Sequence, residues 1–222
     1  MPLTVLVKNE RSFYERDMAK LSEEQRLARR QQILNAGWRC FERNGLHATR
    51  MDDIIAEAEL SAGAVYSYFK NKDDLIRAAL TTSMTGLSER LRPMLESDEP
   101  PPPVILLEGI AAAVEDYTKR DGFDLKRLAL LGWAESQRDE TLKGIMHAFY
   151  TGFVAQLAGC VSRWKKAGLV TSSANDDHIA RALLALVLGY VVQAAVVGGL
   201  DPKILREGVE GLMASTPRRL KS

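Results

Sequence analysis

Apolar residues recur along this chain at intervals of three and four, the spacing of one helix face, and almost nowhere at the interval of two that marks a half-buried strand. The pattern predicts an all-α protein. Ser22 and Gln25 read as a capping box, after which Ile33, Leu34, Gly37 and Phe41 line one face of a helix that stops at Gly45. A short helix follows Thr49, with that hydroxyl as cap, Asp52 bonding back, and Met51, Ile54, Ile55 and Ala58 at helical intervals. Asn71 and Asp74 repeat the capping signature ahead of a longer helix that should end or kink near Pro93. The run SDEPPPP, residues 97–103, then breaks the pattern and is the best candidate for a domain boundary. Five further helices are expected near residues 104–119, 125–137, 141–167, 176–197 and 202–214. Gly168 ends one of them, Asn175 caps the next, and Asp201 before Pro202 makes a cap with proline at the first helical position.

With 222 residues, 46% of them hydrophobic, the chain can bury one large core or two unequal ones. The formal net charge is +1, so any affinity for nucleic acid must be local. Cys40 and Cys160 stand far apart without CxxC spacing, which suits two buried thiols in a reducing cytosol. The stretch MPLTVLVKNERSFYERDMAK lacks the apolar run of a secretion signal, so the location reads as cytoplasmic; Met18 offers a second start that would make the first seventeen residues dispensable, and residues 1–21 read as an extension ahead of the first domain. Residues 182–200, ALLALVLGYVVQAAVVGGL, reach membrane length. Gln193, the small residues and the missing basic flanks instead suit a helix buried in a bundle or between subunits, so no membrane is expected.

The stretch SAGAVYSYFKNK, residues 61–72, carries two lysines and no acid. Wound as a helix, Ala62, Val65 and Phe69 share the packing face, Gly63, Ser67 and Lys70 lie opposite, and Tyr66 and Tyr68 take the flanks. A helix this bare at its start can enter a major groove, with the tyrosines reaching the walls. Base reading falls to Ala62, Gly63, Ser67, Lys70 and Tyr66, while Lys72, Thr49 and Arg50 supply phosphate contacts. The short helix before it and the Ala58-Glu59-Leu60-Ser61 turn complete the layout of a helix-turn-helix. Against a broad DNA footprint, residues 22–77 hold nine Lys plus Arg and nine Asp plus Glu, a balance of zero, so few salt-dependent contacts are expected.

The segment RRQQILNAGWRCFERNGLHATRMDDIIAEAELSAGAVYSYFKNKDDLIRAAL closely resembles the DNA-binding domain of the TetR family of bacterial transcriptional regulators. The resemblance rests on Ile33, Leu34, Phe41, Gly45 and Thr49, on Ile55-Ala56, Ser61-Ala62-Gly63 and Tyr66-x-x-Phe69, and on Lys72-x-x-Leu75. It implies that Thr49, Ser61, Gly63, Tyr66, Tyr68 and Lys72 lie at the DNA. One departure is Glu59, where the family usually has glycine; a non-glycine residue held at positive φ costs about 1 to 2 kcal/mol.

Residues 127–144, RLALLGWAESQRDETLKG, resemble the effector domain of the choline-responsive BetI-type subgroup. That resemblance implies a homodimer, with helices 176–197 and 202–214 pairing across a two-fold axis. Tyr117, Trp133, Glu135, Gln137, His147, Phe149, Tyr150 and Gln193 are candidates to line an effector cavity, where an aromatic ring and Glu135 would suit a quaternary ammonium ion. The expected organisation is an extension at 1–21, a three-helix DNA-binding domain at 22–80, and a larger helical-bundle effector-binding and dimerisation domain at 81–222.

No GxSxG, GxxxxGK[ST], GxGxxG or HExxH motif occurs, and His47, His147 and His178 are too dispersed to form a metal cluster. No catalysis, metal or cofactor is expected. The function expected is a ligand-responsive repressor that binds a near-palindromic double-stranded DNA operator and leaves it when a small-molecule effector binds. The alternative is a helical ligand-binding or protein-interaction module without DNA activity.

Overall fold

The computed structural model describes the backbone of residues 4–120 and 123–214, and side chains from Ser22 onward except at 120–123. Nine helices appear among the described residues: α1 (Thr4–Ala48), α2 (Met51–Glu57), α3 (Ala62–Tyr66), α4 (Lys72–Leu95), α5 (Pro103–Thr118), α6 (Leu125–Glu135), α7 (Glu140–Lys166), α8 (Asp176–Val196) and α9 (Lys203–Met213). A two-residue antiparallel ladder, β1 (Lys119–Arg120) with β2 (Phe123–Asp124), interrupts the all-helical expectation between α5 and α6. Two compact units result, Met1–Ala78 and Ala79–Ser222.

In the first unit, α1 breaks at Gly45, whose φ of 77° is left-handed. Ser22 does not cap it, because α1 already runs from Thr4 and residues 4–21 hold no proline or glycine to stop it. Those residues carry most of the proposed extension; residues 1–3 and the side chains through Leu21 lie outside the described set. Ile33, Leu34 and Phe41 of α1 are buried, as are Ile54 of α2, Val65 of α3, Phe69, and Leu75 of α4. Gly37 is small for a reason: a Cβ there would stand 2.6 Å from the Leu75 Cδ2. Arg30 stacks over the Phe69 ring at 5.4 Å. Arg39 and Arg43 grip the two oxygens of Glu57 at 2.6 and 2.9 Å, tying α1 to α2.

The second unit packs α5, α7 and α8 around Leu106, Ile110, Val114, Leu157, Val161, Leu183 and Val187. By length and composition α7 and α8 could each cross a membrane, yet both contribute to this shared core. Cys40 and Cys160 are free and buried, and burial pushes both thiols up from their usual pKa. A polar network fastens the far side. The Glu115 carboxylate of α5 accepts from Lys126 of α6 at 3.0 Å and from the Tyr190 hydroxyl of α8 at 3.1 Å. Arg206 pairs with Glu108 at 2.8 Å, attaching α9 to α5.

The proline run is no boundary between the units. It joins α4 to α5 inside the second one, where Trp164 donates to the Pro101 carbonyl at 2.9 Å and Arg163 to the Leu95 carbonyl at 2.5 Å. Pro93 sits near the end of α4, which closes two residues later at Leu95. At α9 the cap is displaced by one residue: Pro202 holds the cap position while the Asp201 carboxylate accepts from the Lys203 N–H.

Candidate functional site

The helix-turn-helix is assembled by short-range hydrogen bonds. At the end of α2, the Glu59 N–H donates to the Ala56 carbonyl at 3.1 Å and the Leu60 N–H to that of Ile55 at 3.4 Å, the paired bonds of a Schellman turn. That motif wants a left-handed residue, and Glu59 supplies it with φ 55°. Gln32 of α1 braces the same turn by donating to the Ala58 carbonyl. Ser61 then caps α3, its hydroxyl accepting from the Ala64 N–H at 3.3 Å.

The outward side of α3 matches most of the sequence reading. Gly63 is exposed, and a Cβ on it would meet nothing within 4 Å. Ser61, Ser67, Lys70 and Arg50 are exposed, and Tyr66 retains 46% of its surface. The helix itself is shorter than expected, ending at Tyr66, so Ser67 and Tyr68 belong to the turn that brings Phe69 back into the core. Ala62 moves from the packing face to the exposed end. Tyr68 is half-buried beside a polar groove formed with Ser22, Gln25, Arg26 and Arg29 of α1. Sequence reading missed those arginines as part of this face, although their spacing on one side of α1 was visible.

Two residues expected to contact phosphate have internal partners. Thr49 is 1% exposed, and its hydroxyl donates to the Gly45 carbonyl at 2.7 Å and the Cys40 carbonyl at 3.1 Å. It does not cap α2 either: Arg50 holds that position, and Asp53 rather than Asp52 bonds back to the Arg50 N–H at 2.7 Å. The Lys72 ammonium donates to the carbonyls of Leu46, His47 and Thr49 at 2.9, 3.0 and 3.0 Å. An ammonium has three donors, and all three face carbonyls at the end of α1.

Within the second unit lies a cavity of about 120 Å³. Tyr117, Trp133, Phe149 and Tyr150 line it, together with Leu80, Met84, Leu87 and Leu91 of α4. The Trp133 indole donates to the Tyr150 hydroxyl at 2.6 Å. Glu135, Gln137, His147 and Gln193 do not line it. On α6 the lining residues are Leu128, Ala129 and Trp133, and Glu135 stands about 200° round from Trp133. Gln137 lies past the end of α6, His147 is turned about 100° from the lining Met146, and Gln193 about 200° from the lining Val191. All three are exposed. The α4 stripe was the signal to follow, since Leu80, Met84, Leu87 and Leu91 repeat at helical intervals.

Residues 33–79 match the family model described as bacterial regulatory proteins, tetR family, and residues 107–215 match BetI-type transcriptional repressor, C-terminal. The chain belongs to the TetR family. Its members are transcriptional regulators that bind DNA, and not enzymes. The HTH-type transcriptional regulator BetI of Burkholderia cenocepacia is 27% identical over 199 residues, covering 84% of this chain and 95% of that one. The HTH-type transcriptional regulator PksA of Bacillus subtilis is 26% identical over 177 residues, covering 78% and 80% respectively. Among solved structures, a transcriptional regulator from Saccharomonospora viridis in complex with choline superposes with a TM-score of 0.67 at 22% identity, covering 83% of this chain and 94% of that one. At that identity the likeness speaks for the fold of this TetR-family chain alone.

Proposed function

We propose that this TetR-family chain is a cytoplasmic homodimeric repressor that inserts α3 of each copy into successive major grooves of a near-palindromic operator. The two recognition elements then stand about 34 Å apart, one turn of duplex, or a multiple of it. The observation that carries the reading is the exposed, side-chain-free surface at Gly63, flanked by Ala62, Ser67 and Lys70. Arg50 and Lys70 contribute the positive charge of this face, and Tyr66 and Tyr68 reach the groove walls.

Pairing through α8 and α9 is supported by an apolar stripe left uncovered in a single chain. Leu186, Val192, Val196 and Val197 are exposed on α8 and at its end, and Ile204, Leu212 and Met213 on α9. A second copy laying the same stripe against it removes that surface from water without a bilayer. The cavity is the effector site. A ligand that fits better when α4 is displaced weakens operator binding, and a coupling of about 1 to 3 kcal/mol suffices for release.

The test is Gly63→Leu. The new side chain projects into open space, so the melting temperature stays within about 1 °C of the parent, while affinity for the chain's own promoter DNA falls at least about tenfold. Unchanged affinity removes α3 from the interface.

A further inference from the structure

The polar groups around the cavity are nearly all satisfied from within the protein. Lys126, 3% exposed, donates to Glu115 at 3.0 Å, Thr118 at 3.2 Å and Asp124 at 3.2 Å, which uses all three of its N–H groups. Thr118 donates to the Val114 carbonyl, Ser83 to that of Ala79, and Trp133 to the Tyr150 oxygen. The Tyr150 O–H is different: among the described residues no acceptor takes its proton. Burial raises its pKa, so the phenol remains a donor throughout the physiological range.

Charge narrows the class of ligand further. No carboxylate lines the cavity among the described residues, so a quaternary ammonium ion would have only the aromatic faces, and no counter-charge, to offset its lost hydration. An anion fares no better, because Lys126, the one lining cation among the described residues, already faces the carboxylates of Glu115 and Asp124. Size sets the remaining limit. About 120 Å³ is close to the roughly 150 Å³ of an apolar cavity that stays dry and binds benzene.

We propose that the cavity takes a small neutral ligand, with an apolar body of about one aromatic ring and a single carbonyl or ether oxygen that accepts the Tyr150 hydroxyl proton. This rests on the cavity being the effector site and names what that site selects, which is not the choline of the Saccharomonospora viridis complex.

Isothermal titration of the full chain at pH 7 tests it with four probes: acetophenone, toluene, choline and benzoate. Acetophenone binds about fivefold to tenfold more tightly than toluene, as one hydrogen bond implies, and at least tenfold more tightly than choline or benzoate. Tyr150→Phe abolishes the preference over toluene and leaves toluene affinity unchanged. Choline or benzoate binding more tightly than acetophenone overturns the proposal, as does Tyr150→Phe weakening both neutral probes alike. Failure of all four probes to bind overturns it too. Promoter DNA anisotropy is followed in parallel. Binding of acetophenone without DNA release leaves the ligand class standing and refutes the effector role, whereas release by choline with no acetophenone binding does the reverse.

Discussion

Replacing Lys72 by methionine keeps the aliphatic stem and removes the ammonium that holds three carbonyls at the end of α1. Two of those bonds, to Leu46 and Thr49, are partly buried, while the one to His47 is exposed. The exposed carbonyl regains water at little cost. The two shielded ones lose about 1 kcal/mol each, near the middle of the range for a net hydrogen bond, giving a destabilisation of about 2 kcal/mol. For a chain of this length that lowers the melting temperature by about 4 to 8 °C, which calorimetry resolves. The accompanying DNA measurement separates this role from a phosphate contact. Losing a phosphate-bound lysine lowers the slope of log affinity against log salt by about 0.9, whereas losing an internal clamp leaves the slope unchanged. A Lys72→Met protein that melts with the parent and binds promoter DNA with a slope reduced by about one unit would refute the clamp and restore the phosphate contact.

Two further predictions address the same unit. Glu59→Gly relieves a left-handed residue on an exposed turn, so thermal unfolding should shift upward by about 1 kcal/mol, less the entropy glycine adds to the unfolded chain; an equal or lower midpoint contradicts strain at φ 55°. Glu57 is held below the usual carboxylate range by hydrogen bonds from Arg43 and then Arg39, so its contribution to stability is present above the unfolded pKa near 4.3 and is lost as pH falls through the lower folded value. Denaturant titrations should accordingly find Glu57→Gln less stable than the parent at pH 7, with the gap closing below about pH 4; a gap constant with pH counts against the pairing.

Much of the candidate interface was legible because its determinants are local. The exposed Gly63 and the buried Val65 and Phe69 follow from neighbours within a few residues, and the strain at Glu59 follows from one missing glycine. The roles of Thr49 and Lys72 were not legible, because their partners lie up to 26 positions away and the same cation suits a carbonyl as well as a phosphate. Likewise Trp133 and Tyr150 announced themselves as aromatic, but which neighbours faced them depended on the rotation of α6, α7 and α8 within the bundle.

Helical periodicity, caps and stops placed α5 through α9 to within about two residues at each end, while α1 begins well ahead of Ser22 and α3 ends at Tyr66, short of the expected helix; the turn chemistry between α2 and α3 specified the presentation of a bare helical end. Those are interactions spanning one or two turns of chain, so they are encoded wherever the residues stand together in sequence. Tertiary structure alone decided that the proline run is anchored by Trp164, that Lys126 is held by Glu115, and that among the described residues the Tyr150 hydroxyl at the cavity has no acceptor. Each of these depends on groups far apart in the chain meeting in a low-dielectric interior, where position determines whether a polar atom is spent or available.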